Sequence, residues 1–284
     1  MKQCSRKYKS LFGIGTICLL LSGCMSEPTH GTAKAVIEGW IDSGGSPMVI
    51  FTASLSPDDE PQSIADKIIR WGKVTVSDGE QTIILTGGPD KNLFPPFSYY
   101  TYRLIGVPGR TYRITAEYED LYAEASCTMP YPTPIDSLIV TPIEGNDSLR
   151  SATLCFTAPT DTPAYYYVTV RKEGRGTRPY PAMMGTVKAL RPGENIRVPV
   201  FNAKNQLDTA SFVPQLKVGQ NLEIALCRVT EEVYNFWTTY ENAVMFGGSL
   251  IIDNSTGSES VGNIAGGYGV WSVQGVSKVV LEVE

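Results

Sequence analysis

The chain has 284 residues, with 24 lysines and arginines against 29 aspartates and glutamates. A formal charge of −5 repels nucleic acid and other polyanions, which are held by basic footprints. Its single histidine, His30, precedes every strand-like pattern, so Ser-His-Asp and Cys-His nucleophile systems and a His-rich zinc site are excluded from the folded body.

Lys2, Arg6, Lys7 and Lys9 form a basic n-region, followed by an apolar run from Leu11 to Leu21. That run is too short to span a bilayer as a helix but right for a secretory signal. It closes on Leu21-Ser22-Gly23-Cys24, small residues directly before a cysteine, as a lipoprotein signal peptidase requires. The expected product is cut between Gly23 and Cys24, with diacylglycerol on the Cys24 thiol. Two or more acyl chains give stable membrane anchoring. An ordinary secretory signal cut elsewhere is the alternative, and it also places the body outside the cytoplasm. Losing residues 1–23 removes four basic side chains and no acidic one, which takes the formal charge to −9.

Residues 24–33 read as a polar tether, and residues 34–129 as a first antiparallel β-sandwich. Val49, Phe51, Ala53 and Leu55 alternate with Ile50, Thr52 and Ser54. Val74 and Val76 lead through Asp78-Gly79 to Thr82–Leu85, a hairpin signal of the primed-turn type. Asp58-Asp59-Glu60 between these runs lacks the alternating ligands of a calcium loop and reads as a solvated turn. Tyr99–Ile105 precedes Val107-Pro108-Gly109-Arg110, placed for a type II turn. Tyr112, Ile114, Ala116 and Tyr118 then face one way, and Leu121–Thr128 returns. Six or seven strands with close turns predict a small sandwich.

Pro130, Pro132 and Pro134 alternate with Tyr131 and Thr133 in an extended strip, the expected boundary at 130–134. Residues 135–284 repeat the β pattern, with strands expected at Ile135–Val140, Ala152–Ala158, Tyr166–Val170, Gly185–Leu190, Ile196–Phe201 and Leu222–Val229. The stretch from Phe201 to Gly219 has no clear period and reads as a long loop or edge excursion. One amphipathic helix is expected at about 231–246. Thr230 is its N-cap, Glu231 and Glu232 sit in the first turn, and Val233, Phe236, Trp237, Tyr240 and Val244 form a stripe to pack on the sheet, with Gly247-Gly248 as the stop. The glycine-rich tail ends in one or two strands. Gly262–Gly269 has no Lys-Ser/Thr and opens no helix, so it is not a phosphate loop. The fold class is therefore mostly β, two antiparallel sandwiches of Ig-like or prealbumin-like type, the second with a helix.

Of the six cysteines, Cys4 and Cys18 leave with the signal and Cys24 carries lipid. Cys127, Cys155 and Cys227 remain in strand-like stretches. Buried free thiols are the expectation, one bridge with a leftover thiol the alternative. No C-x-x-C spacing suggests a metal, and no cofactor motif is present.

The stiff aromatic stretch Phe94-Pro95-Pro96-Phe97-Ser98-Tyr99-Tyr100 is the candidate contact for a glycan, a peptide or a partner surface, with Phe94, Phe97, Tyr99 and Tyr100 as its rings. Capping of the sandwich accounts for some of them. Tyr165-Tyr166-Tyr167 is a second aromatic run, in which alternation already explains the middle ring.

Several segments together resemble a known family. They are Val36-Ile37-Glu38-Gly39-Trp40-Ile41, Pro108-Gly109-Arg110-Thr111-Tyr112, Pro134-Ile135-Asp136-Ser137-Leu138, Val229–Tyr240, Gly262-Asn263-Ile264 and Gly266-Gly267-Tyr268-Gly269-Val270-Trp271. In this order they resemble an uncharacterised family of Bacteroidetes-type outer-membrane lipoproteins, a domain of unknown function, over nearly the whole mature chain. Members commonly carry Phe where this chain has Trp271. Genes of the family often lie beside TonB-dependent receptors, which implies an outer-membrane partner and assigns no catalytic residue. Glu27 is the one acidic residue just after Cys24, so the outer or periplasmic face stays open. In such bacteria O-glycosylation falls on Asp-Ser/Thr-apolar triplets, found here at Ser137, Ser148 and Thr209, of which Ser148 and Thr209 are the better candidates.

The expected function is that of a membrane-anchored, non-catalytic partner of a TonB-dependent transporter. A fimbrial or adhesive subunit is the alternative, and a carbohydrate-active enzyme with two converging carboxylates the third.

Overall fold

Alternating apolar and polar side chains build most of the strands, and which face each alternation buries determines how the sheets stack. The structure, a computed structural model, describes residues 33–55, 65–91, 93–172, 180–203, 213–246 and 262–284. The chain divides into two units, Met1–Thr32, which lies outside the described residues, and Ala33–Glu284.

The first half of the larger unit supplies β1 (Ala35–Asp42), β2 (Met48–Ala53), β3 (Lys73–Ser77), β4 (Thr82–Ile84), β5 (Thr86–Pro89), β6 (Phe97–Tyr100), β7 (Thr111–Tyr118) and β8 (Leu121–Thr128). The second half supplies β9 (Ser137–Ile143), β10 (Asn146–Thr157), β11 (Ala164–Lys172), β12 (Tyr180–Ala189), β13 (Asn195–Val200), β14 (Leu216–Lys217) and β15 (Asn221–Val229), then α1 (Glu231–Phe246) and β16 (Gly267–Glu282). One eight-stranded sheet runs β12-β11-β15-β16-β1-β2-β6-β5. Two four-stranded sheets accompany it, β4-β3-β7-β8 and β13-β10-β14 with β9 on β10. The fold is mostly β, of antiparallel-sandwich type.

The last strand joins the two halves. Gly267–Gln274 pairs in parallel with β1, and Gly275–Glu282 pairs antiparallel with β15. Trp271 and Val273 fill the first core, beside Ile37, Ile41 and Phe51 of the long sheet and Val74, Ile114 and Ala125 of the small one. Val279 and Leu281, on the same face of β16, pack on the second core around Leu154, Tyr166, Val168 and Ile224. The opposite face of β11, β15 and β16 carries α1 through Tyr167, Cys227, Val233, Trp237 and Val270. Residues 135–284, read from the sequence as the second sandwich, therefore lend β16 to the first. Local periodicity carries no signal for such a pairing between the ends of the body.

At the seam, Ser43 donates its N–H to the Gln274 carbonyl (2.9 Å), and its Oγ accepts from Val276 N–H (2.9 Å). Met129, just before the proline strip, and Thr133, within it, are both buried, and Thr133 Oγ1 lies 3.0 Å from the Tyr166 hydroxyl in the second core.

Trp271 is fully buried over Gly39, where a Cβ would come within 2.7 Å of the indole. Its Nε1–H donates to the Tyr112 carbonyl (3.0 Å), and Asn263 grips its backbone, accepting from its N–H and donating to its carbonyl. Tyr112, also buried, accepts from Val107 N–H and donates to the Ile105 carbonyl, which locks the preceding turn. In that turn Arg110 N–H donates to the Val107 carbonyl (3.2 Å) and Gly109 has φ +86°, the type II geometry expected.

The Asp78-Gly79 hairpin is present but differs from the primed turn expected. Ser77 pairs with Thr82, so the loop holds four residues, and the Asp78 carboxylate caps it by accepting from Glu80 and Gln81 N–H. These bonds, Gln81 foremost, outweigh the cost of burying Asp78 and, with Arg110 beside it, hold its pKa below the usual carboxylate value. Two further differences concern β5 and β6. Thr86–Pro89 forms edge strand β5 although Gly-Gly-Pro reads as a breaker, because Phe97 and Tyr100 rings lie over Gly87 and Gly88. Strand β6 stops at Tyr100 rather than reaching Ile105.

Candidate functional site

Helix α1 begins where expected, with the Thr230 carbonyl accepting from Tyr234 N–H (3.0 Å). Its stripe buries Val233 and Trp237 and half-buries Phe236 and Tyr240, while the side chain of Val244 and all of Gly247-Gly248 lie outside what is described. Trp237 stacks at 5.2 Å on Tyr167 of β11 and meets Phe236 and Tyr240 edge-on. Glu241 fastens the helix to β12 by accepting from the Thr186 hydroxyl (2.6 Å), and Lys188 lies over the Tyr165 ring.

Beside this aromatic cluster a cleft opens on the helix-bearing face of the long sheet, lined by Glu38, Trp40, Tyr167, Trp237, Ser272 and Gln274 among others. Its cavity volume is about 20 Å³, which suits a water-sized group and not a whole nutrient. Trp237, 93% buried, lines it, and its indole N–H has no hydrogen-bond partner among the described residues. A buried unpaired donor costs about 1–3 kcal/mol, so this wall favours a group that accepts a hydrogen bond.

The floor of the cleft is a chain of polar side chains at alternate positions of neighbouring strands. The Tyr167 hydroxyl (2.5 Å) and the Ser272 hydroxyl (2.8 Å) both donate to Gln274 Oε1, and Gln274 Nε2 donates to Asp42 Oδ1 (2.7 Å). Lys278 then bridges Asp42 (3.6 Å) and Glu223 (3.4 Å), and Arg171 pairs with Glu223 at 2.7 Å. Burial pushes the Tyr167 hydroxyl well above its usual range, so it remains a donor. Burial also raises the Glu223 carboxyl, but the Arg171 bond and the charges of Lys278 and Arg171 overcome this and leave its pKa lowered. The Cys227 thiol, on the same face, is pushed far up by burial and stays protonated. The cleft thus sets aromatic walls beside a hydrogen-bonded polar chain. The cleft lining includes one carboxylate, Glu38, and no histidine or cysteine.

A family model described as a domain of unknown function, DUF4249, matches residues 26–279, which takes in most of the tether, most of both cores and most of β16. The chain belongs to the DUF4249 family. No curated protein matches the chain. The segments that carried the resemblance have structural duties in this DUF4249 body: Gly39 under Trp271, Arg110 paired with Asp78 and Glu80, Tyr112 locking its turn, and Asn263 holding Trp271.

The rings singled out from the sequence separate. Tyr99 is buried in the first core, its hydroxyl donating to the Ile69 carbonyl (2.8 Å) and accepting from Gly72 N–H (2.9 Å). Phe97 packs edge-on against it at 5.5 Å. Phe94 is exposed, and half-buried Tyr100 pairs at 5.6 Å with exposed Tyr102, which the sequence reading assigned only to a strand. In the second run Tyr166 enters the core, while Tyr165 and Tyr167 face the helix. Ser148 and Ser137 are exposed on β10 and β9. Gly23, Cys24, His30, Asp58-Asp59-Glu60 and Thr209 lie outside the described residues. Cys127, Cys155 and Cys227 are free thiols, the first and last buried. Among the described residues no three of His, Cys, Asp and Glu gather as a metal set, and no helix is long and apolar enough to cross a membrane.

Sequence reasoning missed the cleft itself. A signal existed, since Glu38, Trp40 and Asp42 on β1 and Ser272, Gln274 and Lys278 on β16 repeat polar or amphipathic residues at period two. Locating it required knowing that the two strands are neighbours.

Proposed function

We propose that the protein is a membrane-anchored, non-catalytic lipoprotein of the outer membrane, of Bacteroidetes type, that serves as accessory or binding partner of a TonB-dependent transporter. The observation that carries this reading is Leu21-Ser22-Gly23-Cys24 after a basic, then apolar, leader. Membership of the DUF4249 family supports it through the resemblance set out above. The geometry adds that the two sandwiches share β16 and so move as one piece, and that the polar side chains under α1 are engaged with one another. Anchoring beside a barrel raises the effective concentration of the body, so weak contacts suffice for capture. The partner offers an extended peptide or glycan edge to the aromatic surface at Phe94, Tyr100 and Tyr102, or an acceptor group to the cleft.

The fimbrial reading requires a strand that leaves and is replaced. Strand β1 is paired on both sides, to β16 and β2, and its removal would uncover Trp271. That weighs against strand exchange through β1. Affinity capture from native outer membranes, with a tag after Glu284, is expected to return a TonB-dependent receptor. Capture without one, or laddered oligomers of this chain alone, would contradict the proposal.

A further inference from the structure

Trp71 is 87% exposed, the most open of the large apolar side chains among the described residues. The segment that carries it is nonetheless firmly held. Gly72 N–H donates to the Tyr99 hydroxyl (2.9 Å), that hydroxyl donates to the Ile69 carbonyl (2.8 Å), and a Cβ on Gly72 would sit 2.8 Å from the Phe51 ring. A backbone pressed this closely on the core leaves the intervening indole projecting outward from a held segment.

Its place in the fold gives the projection a meaning. Thr52 faces Val36 on one side and Ile68 on the other, so Ile68, three residues before Trp71, lies two strands from the point where the chain enters the body. At that entry Lys34 and Ser54 exchange backbone and side-chain hydrogen bonds, and the next residue, Leu55, is 42% exposed. Cys24 precedes Ala33 by nine residues, a reach of at most about 30 Å even when fully extended.

We propose that this end of the body rests on the bilayer, with the Trp71 indole in the headgroup region. The inference rests on the anchoring of Cys24 and adds an orientation to it. A tether that short keeps the entry end near the membrane, and tryptophan prefers the boundary between headgroups and acyl chains. Charge does not drive the contact. Among the described residues Lys34, Lys67, Arg70 and Lys73 neighbour this end with Asp66, Glu117, Glu119 and Asp120, four charges of each sign, and the intervening sequence Asp58-Asp59-Glu60 adds only negative charge. Docking is therefore expected on neutral lipid and to be insensitive to salt.

The test uses the full lipidated protein in phosphatidylcholine vesicles carrying acyl-chain bromines, which quench nearby indoles. The chain has four tryptophans, so partial quenching is expected, on the order of a quarter of the emission, and it should vanish in Trp71→Phe. The Cys24→Ser form, which lacks the anchor, serves as the unquenched control. Wild-type protein that floats with the vesicles unquenched would overturn the inference, as would quenching that persists in Trp71→Phe or that requires phosphatidylglycerol. Protein that fails to float would overturn the anchor reading, and this inference with it.

Discussion

A Cβ on Gly275 would lie 2.8 Å from the backbone nitrogen of Pro132. Gly275 marks the middle of β16, where the pairing passes from β1 to β15, and the proline strip crosses the shared strand there between the two cores. The strip is thus packed backbone to backbone, and neither partner has a flexible side chain to move aside. Gly275→Ala is expected to cost about 1–3 kcal/mol, the usual range for overpacking. A thermal melt should show Tm lowered by about 2–4 °C for each kcal/mol, given a body of this size. An unchanged Tm would mean that the strip yields freely.

Gln274 couples the floor of the cleft, since Tyr167, Ser272 and Asp42 all bond to its amide. Gln274→Leu removes all three of these bonds and is expected to cost about 2–4 kcal/mol, whereas Tyr167→Phe removes one donor at about 1 kcal/mol. The double variant should be less unstable than the sum of the two, because the hydroxyl orphaned by the first change is absent in the second. Denaturant unfolding of all four forms measures this, and strict additivity would show that the two groups act independently.

Much of this architecture was legible in the residues, and the parts that were not share a cause. Helix α1 is encoded within a single stretch, by Thr230, Glu231, Glu232 and a stripe at helical spacing. Pro108-Gly109 likewise carries its turn type locally. The pairing of β1 with β16 joins residues more than two hundred positions apart, and Gly39 has an evident purpose only once Trp271 is placed over it. The candidate rings illustrate the same limit. Period two cannot say which face of β6 meets the core, so Tyr99 and Tyr100 look alike in sequence, yet one is interior and the other borders solvent.

Acid should weaken the body in part through Glu223. The fold holds its carboxyl below the ordinary value of 4.5, so its contribution is complete above about pH 4.5 and disappears as pH falls through the lowered value. Asp78, Glu124 and Asp161 shift the same way, each through its own hydrogen bonds and arginine. Glu223→Gln should therefore flatten, without abolishing, the decline in stability between neutral pH and pH 3. A variant whose decline matched wild type would remove Glu223 from this account.

Thiol reactivity should follow burial. The Cys127 and Cys227 thiols are pushed up by desolvation and shielded, while Cys155 is half-buried. Native protein at pH 8 is expected to label at Cys155, and at all three positions once unfolded in guanidinium. Peptide mapping after iodoacetamide treatment reads this directly. A disulfide linking any two of the three would contradict it.

The account depends most on the lipid. Growth of the native host with labelled palmitate, followed by membrane fractionation of wild type and Cys24→Ala, tests it. Label on the wild-type protein and its loss, together with release from the membrane fraction, in Cys24→Ala is the predicted result. An unlabelled wild type, or a Cys24→Ala protein held in the membrane as firmly as before, would contradict it.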